Sequence, residues 1–179
     1  MSNCVMVTSR VQAMNIDALN RVAKAVTDMP NGTPITLAWS ATAGSNVFTA
    51  TKAGAGASGV YLAYSPEVNK LIVGKVWGGL DPRNFTNVAN VPFDCFKPQV
   101  GDIILVTKDF FADTKDPATV SGATVVELTA NGFEAKTTST ASYAGIGFKI
   151  GRTDSMTIAS QNVLTSENVP AYYIECTQN

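Results

Sequence analysis

The residues of this chain that could do chemistry are few, and the most familiar catalytic type is missing. There is no histidine among the 179 residues. Ser-His-Asp and Cys-His nucleophilic catalysis are therefore excluded, and the commonest general base and metal ligand are absent. Carboxylates remain. Asp102, Asp109, Asp113, Asp116, Glu127 and Glu134 fall in one region. Two of them flanking a cleft could hydrolyse a glycoside, one as acid and one as base or nucleophile. Lys108 and Lys115 are interleaved with them, and Asp102 follows Gly101 as a turn residue would. This pattern favours solvated charge over catalysis. Asp109, Asp113 and Asp116 lack the alternating oxygen-ligand spacing of a calcium loop.

Other candidates weaken in the same way. Gly54-x-Gly56-x-x-Gly59 has the form of a dinucleotide fingerprint, which must sit between a strand and a helix. A strand-like run, Val60–Tyr64, follows it, so a loop is expected. Cys4, Cys95 and Cys176 suit no zinc motif and allow at most one bridge. They read as reduced, mostly buried thiols from a reducing cytosol. Asn31-Gly32-Thr33 and Asn84-Phe85-Thr86 match the glycosylation sequon but read as turns. Trp39, Trp77, Tyr61 and Tyr64 could stack on sugar rings, yet all lie in strand-like runs and are expected in the core. No cofactor or metal is expected.

Composition narrows the class. The chain is 45% hydrophobic and 15% charged, with net charge −1. Its four arginines, Arg10, Arg21, Arg83 and Arg152, do not cluster, which argues against nucleic-acid binding. Low charge on a hydroxyl-rich surface favours association, as in a subunit of an assembly. The first ten residues lack the pattern of a secretory signal, and no apolar run is long enough to span a membrane.

The elements that must position these residues are mainly strands. Gly101-Asp102 turns into Ile103-Ile104-Leu105-Val106-Thr107, apolar on both faces and expected in the middle of a sheet or barrel. Alternation marks Pro34–Trp39, Asn46–Thr51, Val60–Tyr64, Leu71–Val73, Lys75–Trp77 and Ala171–Cys176. Thr124–Leu128 and Phe133–Thr137 flank Ala130-Asn131-Gly132, a strong hairpin signal. Gly78 to Pro98 is expected to be irregular, because Pro92 and Pro98 oppose a ladder, and Gln161–Pro170 a loop. One helix is expected at about 15–28, capped by Asn15, with Ile16, Leu19, Ala23 and Val26 on one face.

The fold expected is mainly β: a single β-barrel or β-sandwich-like domain over residues 15–179, preceded by an extended N-terminal arm, residues 1–14. The arm could lie on this chain's own sheet or add to a neighbouring subunit. The subunit contact is preferred, which makes Val5, Met6, Val7 and Val11 the candidate subunit interface.

Four segments in order, Asp28–Thr33, Gly59–Glu67, Asp81–Asn87 and Gly101–Thr107, resemble the small structural proteins of tailed bacteriophages that decorate or cement the capsid. The resemblance runs from about Asp28 to the C-terminus. It implies a non-enzymatic virion protein on the capsid surface, made in the host cytoplasm. It also implies a homo-oligomer, with a trimer as first guess, whose partner is the major capsid protein. The family has no catalytic residues to carry over. On this reading, deleting residues 1–14 abolishes capsid binding and leaves the fold intact. Another virion part (tail, connector or baseplate), a carbohydrate-binding β module and a carboxylate hydrolase are the alternatives, in that order.

Overall fold

The computed structural model describes residues 6, 11–12, 20–42, 45–66, 70–72, 75–77, 83, 85–159 and 166–179. Twelve strands lie among them: β1 (Asn20–Lys24), β2 (Pro34–Ala38), β3 (Phe48–Lys52), β4 (Tyr61–Ala63), β5 (Lys70–Ile72), β6 (Lys75–Trp77), β7 (Phe93–Phe96), β8 (Ile103–Thr107), β9 (Val125–Thr129), β10 (Gly132–Lys136), β11 (Gly147–Ala159) and β12 (Ser166–Gln178). The protein is mainly β, as expected, but its strands divide between two assemblies. Strands β1-β3-β2-β4-β7 close into a barrel, and β10-β9-β11-β12-β8 form a separate sheet. Strands β5 and β6 pair with each other.

The barrel closes tightly because its lining is small. Ala23, Ala50, Ala63 and Cys95 share its interior with Ile35 and Phe93. A barrel of few strands has a narrow lumen, and alanines let the walls approach. Strands β4 and β7 serve two cores by alternation. Ala63 and Cys95 point into the barrel, whereas Leu62 and Phe96 join the core under the sheet. That larger core holds Ile104, Val106, Val126, Phe133, Phe148, Tyr172 and Ile174, all 1% exposed or less. Phe133 stacks on Phe110 at 4.5 Å between ring centres and meets Phe148 edge-on at 5.6 Å.

The seam between barrel and sheet is also hydrogen-bonded. The Asn179 side chain accepts the Val60 N–H and donates to the Val60 and Pro98 carbonyls, at 2.8, 2.8 and 3.0 Å. Gly101 N–H donates to the Cys176 carbonyl, and Cys176 N–H to that of Asp102, both at 2.8 Å.

Three expectations are corrected. Within the expected helix at 15–28, residues 20–24 form β1 and residues 25–28 are not helical, while 15–19 lie outside the described residues. Ala23 and Ala25 are buried while Val22, Lys24 and Val26 are exposed, a period of two. Ladder partners on β3 and β7, distant in sequence, override the local helical spacing. Second, β8 is buried on both faces but stands at the edge of its sheet. Its open side is met by the N-terminal arm, through bridges Met6–Val106 and Gln12–Ile103. Third, the segment before Pro98 contains a ladder strand, β7, which Pro92 and Pro98 flank without interrupting.

The β11–β12 hairpin is much longer than the sequence implied. Strand β11 meets β9 only over Gly147–Lys149, and β12 meets β8 only over Ala171–Glu175. From Ser155 to Ala159 and from Ser166 to Pro170 the two strands pair only with each other in these ladders. The extension is stiffened by buried Ile158 and Val169, by a Thr157–Asn168 bond of 2.8 Å and by an Arg83–Glu167 ion pair of 2.8 Å.

Candidate functional site

Half of the six carboxylates, Asp102, Asp116 and Glu127, accept backbone N–H groups. Asp102 is buried and accepts the Gln99 N–H at 2.8 Å, which makes it the turn residue expected. Asp116 accepts the Thr119 N–H at 3.0 Å, the Thr119 hydroxyl and the Tyr172 hydroxyl. Asp113 is exposed, and Asp109 sits in the 3-10 turn Lys108–Phe110 that follows β8. Burial raises the Asp109 carboxyl, against the opposing pull of Lys108 and Arg83.

Glu127 and Glu134 are brought together, as register partners on neighbouring strands. A working acid–base pair needs environments that push two carboxyls apart, one of them upward. Glu127 is instead held down. Burial alone would raise it, but the backbone N–H groups of Ser142 and Tyr143 and the ammonium of Lys136, 3.2 Å away, outweigh burial. Tyr143 takes a left-handed backbone conformation, φ 54°, in the loop that directs its N–H at Glu127. Glu134 accepts the Thr129 hydroxyl at 2.9 Å. Glu127 therefore pins the 137–145 loop to β9, and Glu134 ties β10 to β9.

This has a measurable consequence. The folded carboxyl of Glu127 lies below its ordinary value of 4.5. Its contribution to stability is complete above that value and is lost as pH falls through the folded value. Calorimetry of Glu127→Gln should show a shallower acid decline in melting temperature below about pH 5, and a loss of roughly 1–3 kcal/mol at neutral pH. An acid decline identical to that of the parent would show that Glu127 is not the group responsible.

The remaining sequence candidates separate. The Gly54–Gly59 loop leads into β4 and not into a helix, so it lacks the helix N-terminus that a pyrophosphate needs. Cys95 and Cys176 are fully buried free thiols, which burial pushes up to about 12 and about 11. Cys4 lies outside the described residues. Among the described residues, no group of three or more acidic or thiol side chains is placed to hold a metal ion. Asn31 is buried in a turn, donating to the Ser65 carbonyl at 2.8 Å.

Of the interface candidates, Met6 is fully buried in this chain's own core and Val11 packs against it. Val5 and Val7 lie outside the described residues.

The aromatic candidates also divide. Tyr61 and Tyr64 are half-buried against the two cores, as expected of strand residues. Trp39 is not in the core: it is 79% exposed. It continues the inward row Ile35–Leu37 past the end of β2 and lies over Phe48, 4.6 Å between ring centres. In a Trp77→Phe background, Trp39 should emit like an indole in water and be readily quenched by acrylamide. Trp39→Ala should cost no more than about 1 kcal/mol. Blue-shifted, protected emission would contradict its placement.

One concavity had no signal in composition or motif. It opens on the outer face of the sheet, beside an irregularity of β11 between Ile150 and Arg152, and has a volume of about 340 Å³. Arg152, Tyr173, Glu175, Ile103 and the arm residue Gln12 line it. Only Gly151, a residue that often marks a bulge in a strand, hinted at it.

No protein-family model, no curated protein and no solved structure matches this chain. Among the described residues, no helix is long and apolar enough to cross a membrane.

Proposed function

We propose that this chain is a structural virion protein that decorates a bacteriophage capsid and stabilises it by binding the assembled shell. The reading starts from the four ordered segments that resemble capsid decoration proteins. The observation that carries it in the geometry is the β11–β12 extension. Five residues of β11, Ser155–Ala159, pair with Ser166–Pro170 of β12 beyond the last partner of β8, Ala171, a reach of about 16 Å at strand rise. A stiff ribbon of this length suits contact across neighbouring subunits, and a low net charge suits a neutral interface. The major capsid protein is the partner, and a homo-oligomer, with a trimer first, is the working form. A ligand that binds only the assembled lattice stabilises that lattice by mass action.

The arm enters this reading with less weight. Met6 and Val11 serve the chain's own sheet, so a capsid or sister-subunit contact through them requires the arm to exchange. A tail, connector or baseplate role fits the same geometry and differs in copy number and location. The exposure of Trp39 favours a carbohydrate-binding module as the second reading.

The test is co-sedimentation of the purified chain with capsid shells lacking it, beside unassembled capsid subunits. Saturable pelleting with shells alone supports decoration. Failure to bind shells, or equal binding to free subunits, overturns it.

A further inference from the structure

We infer that the concavity at the Gly151 bulge is a binding site for a neutral, hydroxyl-rich ligand, a saccharide unit. Tyr172, Ile174 and Cys176 of β12, with Ile104 and Val106 of β8, fill the core. Tyr173, Glu175 and Ile103, alternating with them, therefore face outward. Register aligns a row across four extended segments: Lys149 opposite Glu175, Glu175 opposite Ile103, and Ile103 opposite Gln12. In the next row Arg152 lies opposite Tyr173, after the bulge has displaced β11 by one residue. At Gly151 a Cβ would lie 3.4 Å from the Tyr173 carbonyl oxygen, and its absence leaves the floor open.

The chemistry of the lining chooses among ligands. An anion would meet the Glu175 carboxylate, and a cation would meet the Arg152 guanidinium, both of which line the concavity. A neutral ligand that both donates and accepts finds partners for each group: Arg152 donates, Glu175 accepts, and the Gln12 amide does both. Arg152 is held in place, with its guanidinium 4.8 Å from the centre of the Tyr173 ring and 2.8 Å from Asp154, yet 68% of its side chain is exposed. Ile103 and the Tyr173 ring offer apolar surface for the C–H face of a sugar. The volume is at the lower end of the range for small-ligand pockets, roughly 300–1,000 Å³, which suits one residue of a glycan.

The site is independent of where the chain resides, and it is distinct from Trp39. The test is an amide-shift titration of the isotope-labelled full chain with galactose, rhamnose, N-acetylglucosamine and maltose, and with inorganic phosphate and spermidine as charged comparisons. At least one sugar should shift Gln12, Ile103, Gly151, Arg152, Tyr173 and Glu175 saturably in the millimolar range. Glu175→Gln, which removes the charged acceptor, and Tyr173→Ala, which removes the stacking face, should each weaken that binding at least about tenfold. Mapping on the parent chain decides the matter even if a variant folds poorly. No saturable shift with any of these sugars, shifts centred on Trp39, or tighter binding of phosphate or spermidine would overturn the proposal.

Discussion

Gly145→Ala is expected to cost about 3–5 kcal/mol, a large part of the roughly 5–15 kcal/mol that holds a domain of ordinary stability. Two effects add. Gly145 has φ +70°, a left-handed conformation that a side chain strains. A Cβ there would also run into the Ala57 carbonyl and lie 2.7 Å from the carbonyl carbon of Gly56. The obstacle is the Gly56–Ala57 backbone, so no flexible side chain can give way. The loop before β4 and the loop before β11 touch here, joined by an Ile146 N–H to Ala57 carbonyl bond of 3.2 Å. Gln178 holds Gly145 from the other side, donating to its carbonyl at 2.8 Å. Forcing these loops apart opens the seam between barrel and sheet. Gly54→Ala is the control: open space surrounds that position, and its stability should change by less than about 1 kcal/mol. Urea unfolding of both variants checks the contrast. A loss below about 1 kcal/mol at Gly145 would mean that the two loops do not meet in this way.

Removing residues 1–14 should lower stability by about 3–5 kcal/mol and make the chain self-associate. This departs from the expectation that the arm is an appendage. Met6 is 0% exposed, in a core with Ile104 and Val106, so deleting it leaves a cavity. Gln12 exchanges two backbone bonds with Ile103, of 2.7 and 2.8 Å. Without them the outer edge of β8 presents unpaired N–H and C=O groups, an open template for a second chain. Met6→Ala separates the two effects: it should lose about 2–5 kcal/mol and stay monodisperse at concentrations where the truncated chain associates. Sedimentation velocity and urea unfolding read both. A truncated chain as stable and as dispersed as the parent would show that the arm is no part of this fold and is free for a partner. Capsid-binding assays of the truncated chain carry meaning only beside these measurements.

Strands defined by local alternation were legible in the sequence. Ile35 and Leu37 mark β2, Ala130-Asn131-Gly132 marks the β9–β10 turn, and Tyr172, Ile174 and Cys176 fall on the buried face expected. Elements defined by distant partners were not. Strand β1 carries helical spacing and becomes a strand only because β3 and β7 flank it. The β11–β12 extension is built of Ser155, Thr157 and Asn168, hydroxyl and amide residues that read equally well as a loop. The chemical groups divide by the same rule. Asp102 was recognisable as a turn residue from its neighbour Gly101. The Glu127–Glu134 pairing and the row of Lys149, Glu175, Ile103 and Gln12 depend on register, which composition does not encode. Trp39 shares the alternation of Ile35 and Leu37 but falls beyond the last rung of the barrel, so the same pattern places it in water.

The most direct test of the proposed decoration role is the copy number of this chain in purified virions, relative to the major capsid subunit. Quantitative gel or mass-spectrometric analysis should give a small integer ratio to that subunit, as equivalent sites on a closed symmetric shell require. A handful of copies at a single vertex, or absence from the particle, would contradict it.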